Sequence, residues 1–259
     1  DMYRAEMSIE VNGISYGVAF PHIPLGVDLY PAGSPLGKTE EIELLLIDGS
    51  SKDDTTEKIE KYREYIDCFI SEPDNGIYDA WNKGIKHSTG EWIMFIGADD
   101  QLEPQALPSF LDFLSTNSTK DVDIINAKAK VIDNNGNTIY KITNPYRWEK
   151  FRKVFNISHG STLQNRKLFD EVGLFDTSYR ICADYELLLR KKLNSLFLDK
   201  YILLMQDGGM STKNEALEEA YRAKREHKTQ SFLGANYRRL RGYIGNSIRQ
   251  VIPILKRLK

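Results

Sequence analysis

Residues 71–100, SEPDNGIYDAWNKGIKHSTGEWIMFIGADD, predict a turn, a helix and a strand in immediate succession. The Pro-Asp-Asn-Gly sequence favours the turn, and the apolar spacing that follows predicts a helix ending near Gly90. The apolar run 92–96 predicts a buried strand. Two carboxylates, Asp99 and Asp100, follow that strand almost at once. Like charges at the end of a buried element need a compensating partner.

A further strand, helix and strand precede this stretch. Residues 42–49, IELLLIDG, form a continuous apolar run that is typical of a strand buried on both faces of a parallel sheet. Residues 50–66 combine a polar capping cluster with apolar residues at helical spacing, and residues 67–76 predict a short strand leading into the turn. The alternation predicts an α/β fold with a mostly parallel sheet and right-handed crossovers.

Acidic residues follow each of these three strands. They are Asp48, Asp74 beside Asn75, and the pair Asp99 and Asp100. Ligands of such sheets bind beyond the carboxyl ends of the strands, so we expect a site at this edge that holds a cation or a polyhydroxyl ligand. An adjacent carboxylate pair suits Mg²⁺ or Mn²⁺, which prefer oxygen ligands. The alternative is an acid pair that is only solvated.

The flanking segments predict further elements. Downstream we expect helices and a hairpin, over residues 108–114 (helix), around 134–137 (hairpin turn), 166–172 (short helix) and 183–193 (longer helix). Upstream, the alternating residues 14–20 predict a strand. Four prolines and three glycines in residues 21–38 then predict a long loop.

Composition bounds the class of protein. The chain has 259 residues, 41% hydrophobic and 28% charged, which fits one large α/β domain with or without an appendage. No apolar run is long enough for a spanning helix, and no secretory leader is recognisable, so neither is expected. Cys68 and Cys182 lie outside any Cys-x-x-Cys pattern, which favours reduced thiols in the cytoplasm.

The net charge of −2 conceals an asymmetry. From Arg222 onward the chain has eleven Lys or Arg residues and one acid, Glu226. Apolar residues recur at helical spacing among these arginines, and they are Leu240, Tyr243, Ile244, Ile248, Val251 and Ile252. The pattern predicts an interfacial helix on anionic lipid, limited in length by Pro253. The alternative is a helix that packs back on its own domain; no nucleic-acid-binding motif accompanies the tail.

Three segments in order, 42–55, 71–100 and 174–191, resemble the inverting family 2 glycosyltransferases with a GT-A fold. The similarity is greatest to bacterial enzymes that build capsule, exopolysaccharide or O-antigen, and it covers roughly residues 41–212. It implies a GT-A domain, with three parts to the chain: a divergent strand and proline-rich loop at 1–40, the glycosyltransferase domain at 41–214, and a basic helical extension at 215–259.

The resemblance implies roles for the acids at the sheet edge. Asp48 matches the acid that contacts the base and ribose of the donor, and Asp79 matches a second acid on the nucleoside side. Asn82 matches a residue that shapes the approach of its helix to the donor. Residues 97–100, Gly-Ala-Asp-Asp, occupy the place of the DxD motif. Metal binding, of Mn²⁺ or Mg²⁺, then falls mainly on Asp100, and Asp99 binds the ribose or shares the ion.

The resemblance also implies the acceptor side. Asp184 matches the catalytic base, and its place near a helix N-terminus is expected to keep the carboxylate ionised; the alternative is that it only caps the helix. His159 matches a position between donor and acceptor, where the alternative is a structural histidine. Residues 206–214 resemble a loop that closes over the diphosphate, although an ordinary turn has the same composition.

We therefore expect metal-dependent inverting transfer from a nucleotide-diphosphate sugar, UDP-linked, to a glycan or lipid-linked acceptor at the cytoplasmic face of the membrane. Two alternatives stay open. One is a catalytically inactive, sugar-nucleotide-binding relative. The other is a sugar-nucleotide nucleotidylyltransferase, which requires a glycine-rich triphosphate loop with Arg and Lys that residues 1–40 lack.

Overall fold

The computed structural model describes the backbone of residues 5–9, 14–20, 42–210 and 214–257, and the side chains of 42–210 and 214–246. The strands of these ranges are β1 (Ala5–Ile9), β2 (Ile14–Phe20), β3 (Ile42–Asp48), β4 (Cys68–Ser71), β5 (Trp92–Gly97), β6 (Gln101–Leu102), β7 (Ile124–Ile132), β8 (Thr138–Ile142), β9 (Thr162–Asn165) and β10 (Ser195–Gln206). The helices are α1 (Thr55–Glu60), α2 (Ile77–His87), α3 (Ala106–Thr116), α4 (Trp148–Phe151), α5 (Arg166–Val172), α6 (Ala183–Leu189), α7 (Asn214–Glu226) and α8 (Phe232–Arg257).

All the described strands belong to one sheet, in the order β4-β3-β1-β2-β5-β9-β7-β10-β6, with β8 paired to β7. The pairs β3–β4, β2–β5 and β7–β10 are parallel. Strand β9 is antiparallel to both of its neighbours, β5 and β7. The α/β class is confirmed, and the sheet is mixed because β1, β6 and β8, like β9, run antiparallel to the strands they pair with.

Strand β5 shows why the sheet has helices on both faces. Its residues alternate between two buried clusters, as the two-residue period of a strand requires. Ile93 and Phe95 pack with residues of α2, α5, α6 and α7, whereas Met94 and its alternate neighbours pack with residues of α1 and α3. All five apolar residues of the run 92–96 are buried. The central strand is therefore covered on both sides, as its composition predicts.

Two predicted helices are shorter than expected. The helix expected over 50–66 is α1 followed by a 3₁₀ turn at Arg63–Tyr65, where the Arg63 guanidinium donates to the carbonyl of Ile66 at 3.1 Å. The helix expected over 183–193 ends at Leu189. Beyond it the chain turns toward β7, because the backbone N–H of Asn194 donates to Asp123 at 2.7 Å. The other predicted helices and the β7–β8 hairpin are confirmed.

The C-terminal helices pack on the domain. Helix α7 buries Ala216 and Ala223 in the same cluster as α2 and α6. Helix α8 lies on α7, where a Cβ on Gly242 would be 2.7 Å from Leu217 Cδ2. Helix α8 continues past Pro253, contrary to the expected early end. The boundary at residue 214 stays a prediction, although α7 belongs to the core.

Among the helices of the described ranges, none combines the length and apolar character that crossing a bilayer requires. The thiols of Cys68 and Cys182 are both free. The proline-rich loop expected over 21–38 lies outside the described residues.

Candidate active site

Three strands end at the same edge of the sheet. Asp48 closes β3, Ser71 closes β4 and Gly97 closes β5. The Asp48 side chain is fully buried and accepts hydrogen bonds from Ser51 Oγ at 2.5 Å and Ser71 Oγ at 2.6 Å. The backbone N–H of Ser51 lies 3.1–3.2 Å from both carboxylate oxygens. Through these bonds Asp48 holds the β3–α1 loop to the end of β4.

A tight turn brings two more acids to this edge. Asp74 accepts from the N–H of Gly76 at 2.8 Å, and Asp79 accepts from the N–H of Asn75 at 3.0 Å. Gly76 has φ of +111°, a backbone conformation that strongly favours glycine. Burial raises the pKa of Asp74, and the charges of Asp79 and Asp48 raise it further. The charges of Asp48 and Asp74 thus act on each other, as the places of these two residues after successive strands predict.

Asn82 makes its contacts within the protein. Its Nδ2 donates to the carbonyl of Phe175 at 2.9 Å, and its Oδ1 accepts from the N–H of the same residue at 2.9 Å. The paired bonds join α2 to the segment that leads toward α6. The side chain is buried. Its part in donor binding stays a prediction, and the geometry assigns it a structural link between two halves of the site.

The acid pair after β5 lies in a tight turn, closed by the N–H of Asp100 donating to the carbonyl of Gly97 at 3.0 Å. Asp100 Oδ1 accepts from the backbone N–H of Gln206 at 3.2 Å, while Asp99 is exposed. Burial raises the pKa of Asp100 to about 8, and the Asp99 charge adds to the effect. Burial and the neighbouring acid both disfavour the ionised form of Asp100, so a divalent cation bound beside it would stabilise the carboxylate.

Glycines leave room around these carboxylates. A Cβ on Gly97 would lie 2.9 Å from Asp99 Oδ1 and 3.2 Å from Asp100 Oδ2, and a Cβ on Gly160 would lie 3.6 Å from Asp100 Oδ2. The described residues contain no group of three or more His, Cys, Asp or Glu side chains that could hold a metal. The assignment of Asp99 and Asp100 as ligands of an ion stays a prediction; in such a site the remaining oxygens would come from water and ligand.

His159 is buried beneath this turn, with 7% of its surface exposed. Its ring stacks on Trp81, with the ring centroids 4.9 Å apart, and its Nε2 lies 2.8 Å from Gln164 Nε2. Burial lowers its pKa to about 3, so the ring is neutral at physiological pH. Direct contact with a ligand stays a prediction. The structure shows a packing role that supports the neighbouring Gly160 and, through it, the Asp100 turn.

Asp184 lies in the first turn of α6. The hydroxyl of Tyr78, on α2, lies 3.2 Å from Asp184 Oδ1 and 2.6 Å from the carbonyl of Ile181. Burial raises the pKa of Asp184 to about 7, although the bonds from Tyr185 N–H and the Tyr78 hydroxyl oppose the shift. The expected effect of the helix N-terminus, which favours the ionised carboxylate, is outweighed by burial. With a pKa of about 7, part of the group is still ionised and available as a base near neutral pH.

A chain of contacting aromatic rings runs from Tyr78, beside Asp184, to His159, near Asp100. Tyr78 packs edge-to-face on Trp81 with centroids 5.2 Å apart, Trp81 stacks on His159, and His159 precedes the glycine beside Asp100. Helix α2 thus connects the acid pair after β5 to Asp184. An edge of carboxylates on one side and a single half-ionised carboxylate on the other suits binding of a polyhydroxyl phosphate ester and removal of a proton from a hydroxyl group.

The family profile "Glycosyl transferase family 2" matches residues 35–175, more than half of the chain. The chain belongs to glycosyl transferase family 2. Among similar proteins is a PGL/p-HBAD biosynthesis glycosyltransferase of Mycobacterium bovis, 29% identical over 172 residues that cover 62% of each chain. An uncharacterized glycosyltransferase of Rickettsia prowazekii is 28% identical over 181 residues, covering 66% of this chain and 56% of that protein. The chain thus spans roughly three fifths of the length of these relatives.

Solved structures show the same fold. Staphylococcus aureus TarS, residues 1–349, has a TM-score of 0.52 at 16% identity, over 77% of this chain and 60% of that one. The complex of the same protein with UDP-GlcNAc has a TM-score of 0.53 at 16% identity, over 70% and 54% of the two chains. The GT-A-like α/β architecture of this family 2 glycosyltransferase chain is therefore confirmed.

Two site residues of this family 2 chain were missed by sequence reasoning. Tyr78 stands directly before Asp79, inside a motif that indicates function, but nothing in the sequence links its hydroxyl to a residue on α6. Glu219, on α7, accepts from the backbone N–H groups of Arg180 at 2.9 Å, Ile181 at 2.8 Å and Cys182 at 2.9 Å. No sequence signal identifies Glu219, because it lies in the segment interpreted as an extension.

The loop expected to close over the diphosphate is described only in part. Gly208 has φ of +98° and, like Gly209, is exposed with open space around its Cα. Residues 211–213 lie outside the described residues. Gln206, at the start of this loop, donates to Asp100 through its backbone. The lid role stays a prediction, and the contact from Gln206 joins the start of the loop to the acid pair.

Proposed function

We propose that this family 2 chain catalyses metal-dependent inverting transfer of a sugar from a UDP-linked donor to a hydroxyl group of a glycan or lipid-linked acceptor. The observation that carries the proposal is Asp184, a partly exposed carboxylate with a pKa of about 7 that the Tyr78 hydroxyl and the Tyr185 N–H hold in place. A base whose pKa matches the ambient pH combines a useful ionised fraction with adequate basicity.

The proposed reaction balances as a single displacement. The acceptor oxygen attacks the anomeric carbon on the face opposite the diphosphate, and the bond from that carbon to the diphosphate oxygen breaks. The diphosphate leaves with the bonding electron pair, and the acceptor proton passes to Asp184. The configuration at the anomeric carbon is inverted because attack and departure occur on opposite faces.

The donor is proposed to lie along the carboxyl edge of β3, β4 and β5. Asp79 and Asp99 accept hydrogen bonds from nucleoside hydroxyl groups. Asp48 acts through its ordered neighbours Ser51 and Ser71, because its own oxygens are already bonded.

Asp100, with Asp99, would hold Mn²⁺ or Mg²⁺. The raised pKa of Asp100 supports the assignment, because a cation would offset the burial and the charge of the neighbouring acid. When bound, the ion supplies positive charge that neutralises the diphosphate as it departs. Gln206 links this turn to the glycine-rich loop, so closing of that loop and ordering of Asp100 are expected to be coupled.

The acceptor class is proposed from the charge of the C-terminal segment, which is strongly basic. Such a segment favours a lipid-linked acceptor in the assembly of a cell-surface glycan, reached from the cytoplasmic face of the membrane. We also propose a catalytic part, 41–214, and an extension, 215–259. Helix α7 supports the catalytic part, because it packs in the same core.

The decisive test is a thermal-shift screen of UDP-, GDP-, dTDP- and CMP-sugars, each with and without Mn²⁺, followed by donor hydrolysis with the best binder. We expect stabilisation by the UDP class that increases with Mn²⁺, together with slow hydrolysis. Stabilisation without hydrolysis or transfer to any lipid or glycan acceptor would favour the inactive binding protein. A response to free nucleoside triphosphate with pyrophosphate exchange would favour a nucleotidylyltransferase.

A further inference from the structure

Helix α8 exposes large apolar side chains on its outer side. Leu233 is 79% exposed, Tyr237 66%, Leu240 61% and Ile244 53%. Their spacing of four, three and four residues places them on one face of the helix. We call these four residues the outer stripe. An unpartnered apolar stripe of this length on a described helix needs an occupant.

The opposite side of α8 is occupied by α7. The Tyr243 hydroxyl donates to Glu218 Oε1 at 2.5 Å, and Arg239 Nη1 lies 3.1 Å from Glu218 Oε2. Gly242 contacts Leu217 closely. Tyr243 therefore belongs to the inner face, whereas the sequence pattern placed it with the apolar face. Since α7 already uses the inner face, packing on the domain does not cover the outer stripe.

Cationic residues lie beside the outer stripe. Arg241 is exposed beside it, and the Arg225 guanidinium lies 5.3 Å from the ring centroid of Phe232 at the start of the helix. After Glu226 the sequence contains no acid, and the segment from Arg222 carries eleven basic residues. An apolar stripe bordered by arginines complements an anionic lipid surface. Two copies of the chain meeting through this face would bring like charges together.

We propose that the outer stripe of α8 docks on the surface of an anionic bilayer, with the stripe in the interface and the arginines at the lipid phosphates. The helix lies on the surface, since no described helix can cross a bilayer. In the sequence, apolar residues recur at the same spacing at Ile248 and Val251. This proposal does not depend on the glycosyl-transfer reaction.

The test is co-sedimentation of the full chain with two kinds of vesicle, phosphatidylcholine alone and phosphatidylcholine with about one third phosphatidylglycerol. We expect binding to the anionic vesicles, weakened by raised salt. The double variant Leu240→Ser/Ile244→Ser should lower the vesicle partition coefficient at least about tenfold. Arg241→Glu should weaken binding only to anionic vesicles.

Matched controls use exposed residues elsewhere. Ile139→Ser/Tyr140→Ser removes two half-exposed apolar side chains from β8, and Lys120→Glu reverses an exposed charge in the loop before β7. Both controls should bind as the unmodified chain does, and circular dichroism should confirm that every variant is folded. Equal vesicle binding by the stripe variant and the wild type would overturn the proposal. The proposal would also be overturned if the wild type were a dimer, the stripe variant were a monomer, and both bound vesicles equally. The occupant of the outer stripe would then be a second copy of the chain.

Discussion

Tyr78 stands 106 residues before Asp184 in the chain, and its hydroxyl lies 3.2 Å from Asp184 Oδ1. The same hydroxyl lies 2.6 Å from the carbonyl of Ile181, so one group of α2 contacts both the proposed base and the segment that leads into α6. Asp79, the next residue, is proposed to bind the nucleoside of the donor. Under that proposal, two adjacent residues of one helix contact the donor and the proposed catalytic base.

Replacing Tyr78 by Phe should change the pH dependence of catalysis. The hydroxyl lowers the pKa of Asp184, so its loss should move the pH at which kcat/KM is half-maximal above about 7. We expect about a tenfold lower kcat/KM at pH 7 that largely recovers at higher pH. The measurement is a pH profile of kcat/KM.

The control for this variant is Tyr185→Phe. Tyr185 donates to the carbonyl of Phe151 at 3.0 Å, so the variant removes an equally buried hydroxyl away from the Asp184 carboxylate. Both variants should lose about 1 kcal/mol of unfolding free energy. An identical shift of the pH profile in both variants would show that Tyr78 acts on stability alone.

Asp184→Asn should abolish transfer while stabilising the fold at alkaline pH. The native pKa of about 7 lies above the unfolded value of 3.8, so the native state binds the proton more tightly. The stability from this group is fully present below about pH 4 and is lost as the pH rises through 7. An amide has no ionised form, so the variant does not bury a charge at alkaline pH. At pH 8 we therefore expect its unfolding free energy to be about 1–2 kcal/mol higher than that of the wild type.

Denaturant titrations at pH 6 and pH 8 measure this effect, with Asp112→Asn on the exposed side of α3 as the control. Activity should fall by a factor of about 10² or more in Asp184→Asn alone. A variant that turns over donor at the wild-type rate would exclude Asp184 as the base.

The affinity for Mn²⁺ should increase with pH up to about 8. The proton on Asp100 competes with the ion below its pKa of about 8, so affinity should rise by up to about tenfold per pH unit from pH 6 and then level. Isothermal titration of Mn²⁺ in the presence of UDP measures it. Asp100→Asn should bind weakly at every pH, and Asp121→Asn, at an exposed site, should behave as the wild type. A wild-type affinity independent of pH would contradict the assignment.

Gly97→Ala should weaken the ion site with little effect on folding. The added Cβ would lie 2.9 Å from Asp99 Oδ1 and 3.2 Å from Asp100 Oδ2, which are the ends of side chains and can move away. We expect about a tenfold loss of Mn²⁺ affinity and a change of less than about 1 kcal/mol in unfolding free energy. Gly245→Ala, in open space on α8, serves as the control. Unchanged Mn²⁺ affinity would place the ion elsewhere.

The sequence predicted the elements that depend on local pattern. The run 92–96 alternates between two buried clusters, and the acids Asp48 and Asp74 follow strands that meet at one edge. Strand periodicity and the geometry of parallel sheets suffice for both results. The resemblance in three separate segments also identified the family correctly, since the family profile covers residues 35–175.

Contacts between distant segments could not be predicted in this way. The antiparallel entry of β9 depends on its pairing with two strands rather than on its own composition. The raised pKa of Asp184 depends on burial by several elements, and it opposes the local expectation for a helix N-terminus. The side chains that a segment contacts depend on how the other segments fold around it, so its own sequence does not predict them.

Glu219 has a consequence for how the protein can be divided. Three consecutive backbone N–H groups, at 180–182, find their acceptor on a helix well beyond the last residue of the family match. If the chain were cut at residue 213, these N–H groups would lose their acceptor and bond to water instead. The backbone segment that positions Asp184 would then no longer be held in place. A unit that keeps the backbone before Asp184 in place is therefore longer than the smallest unit that displays the family motifs.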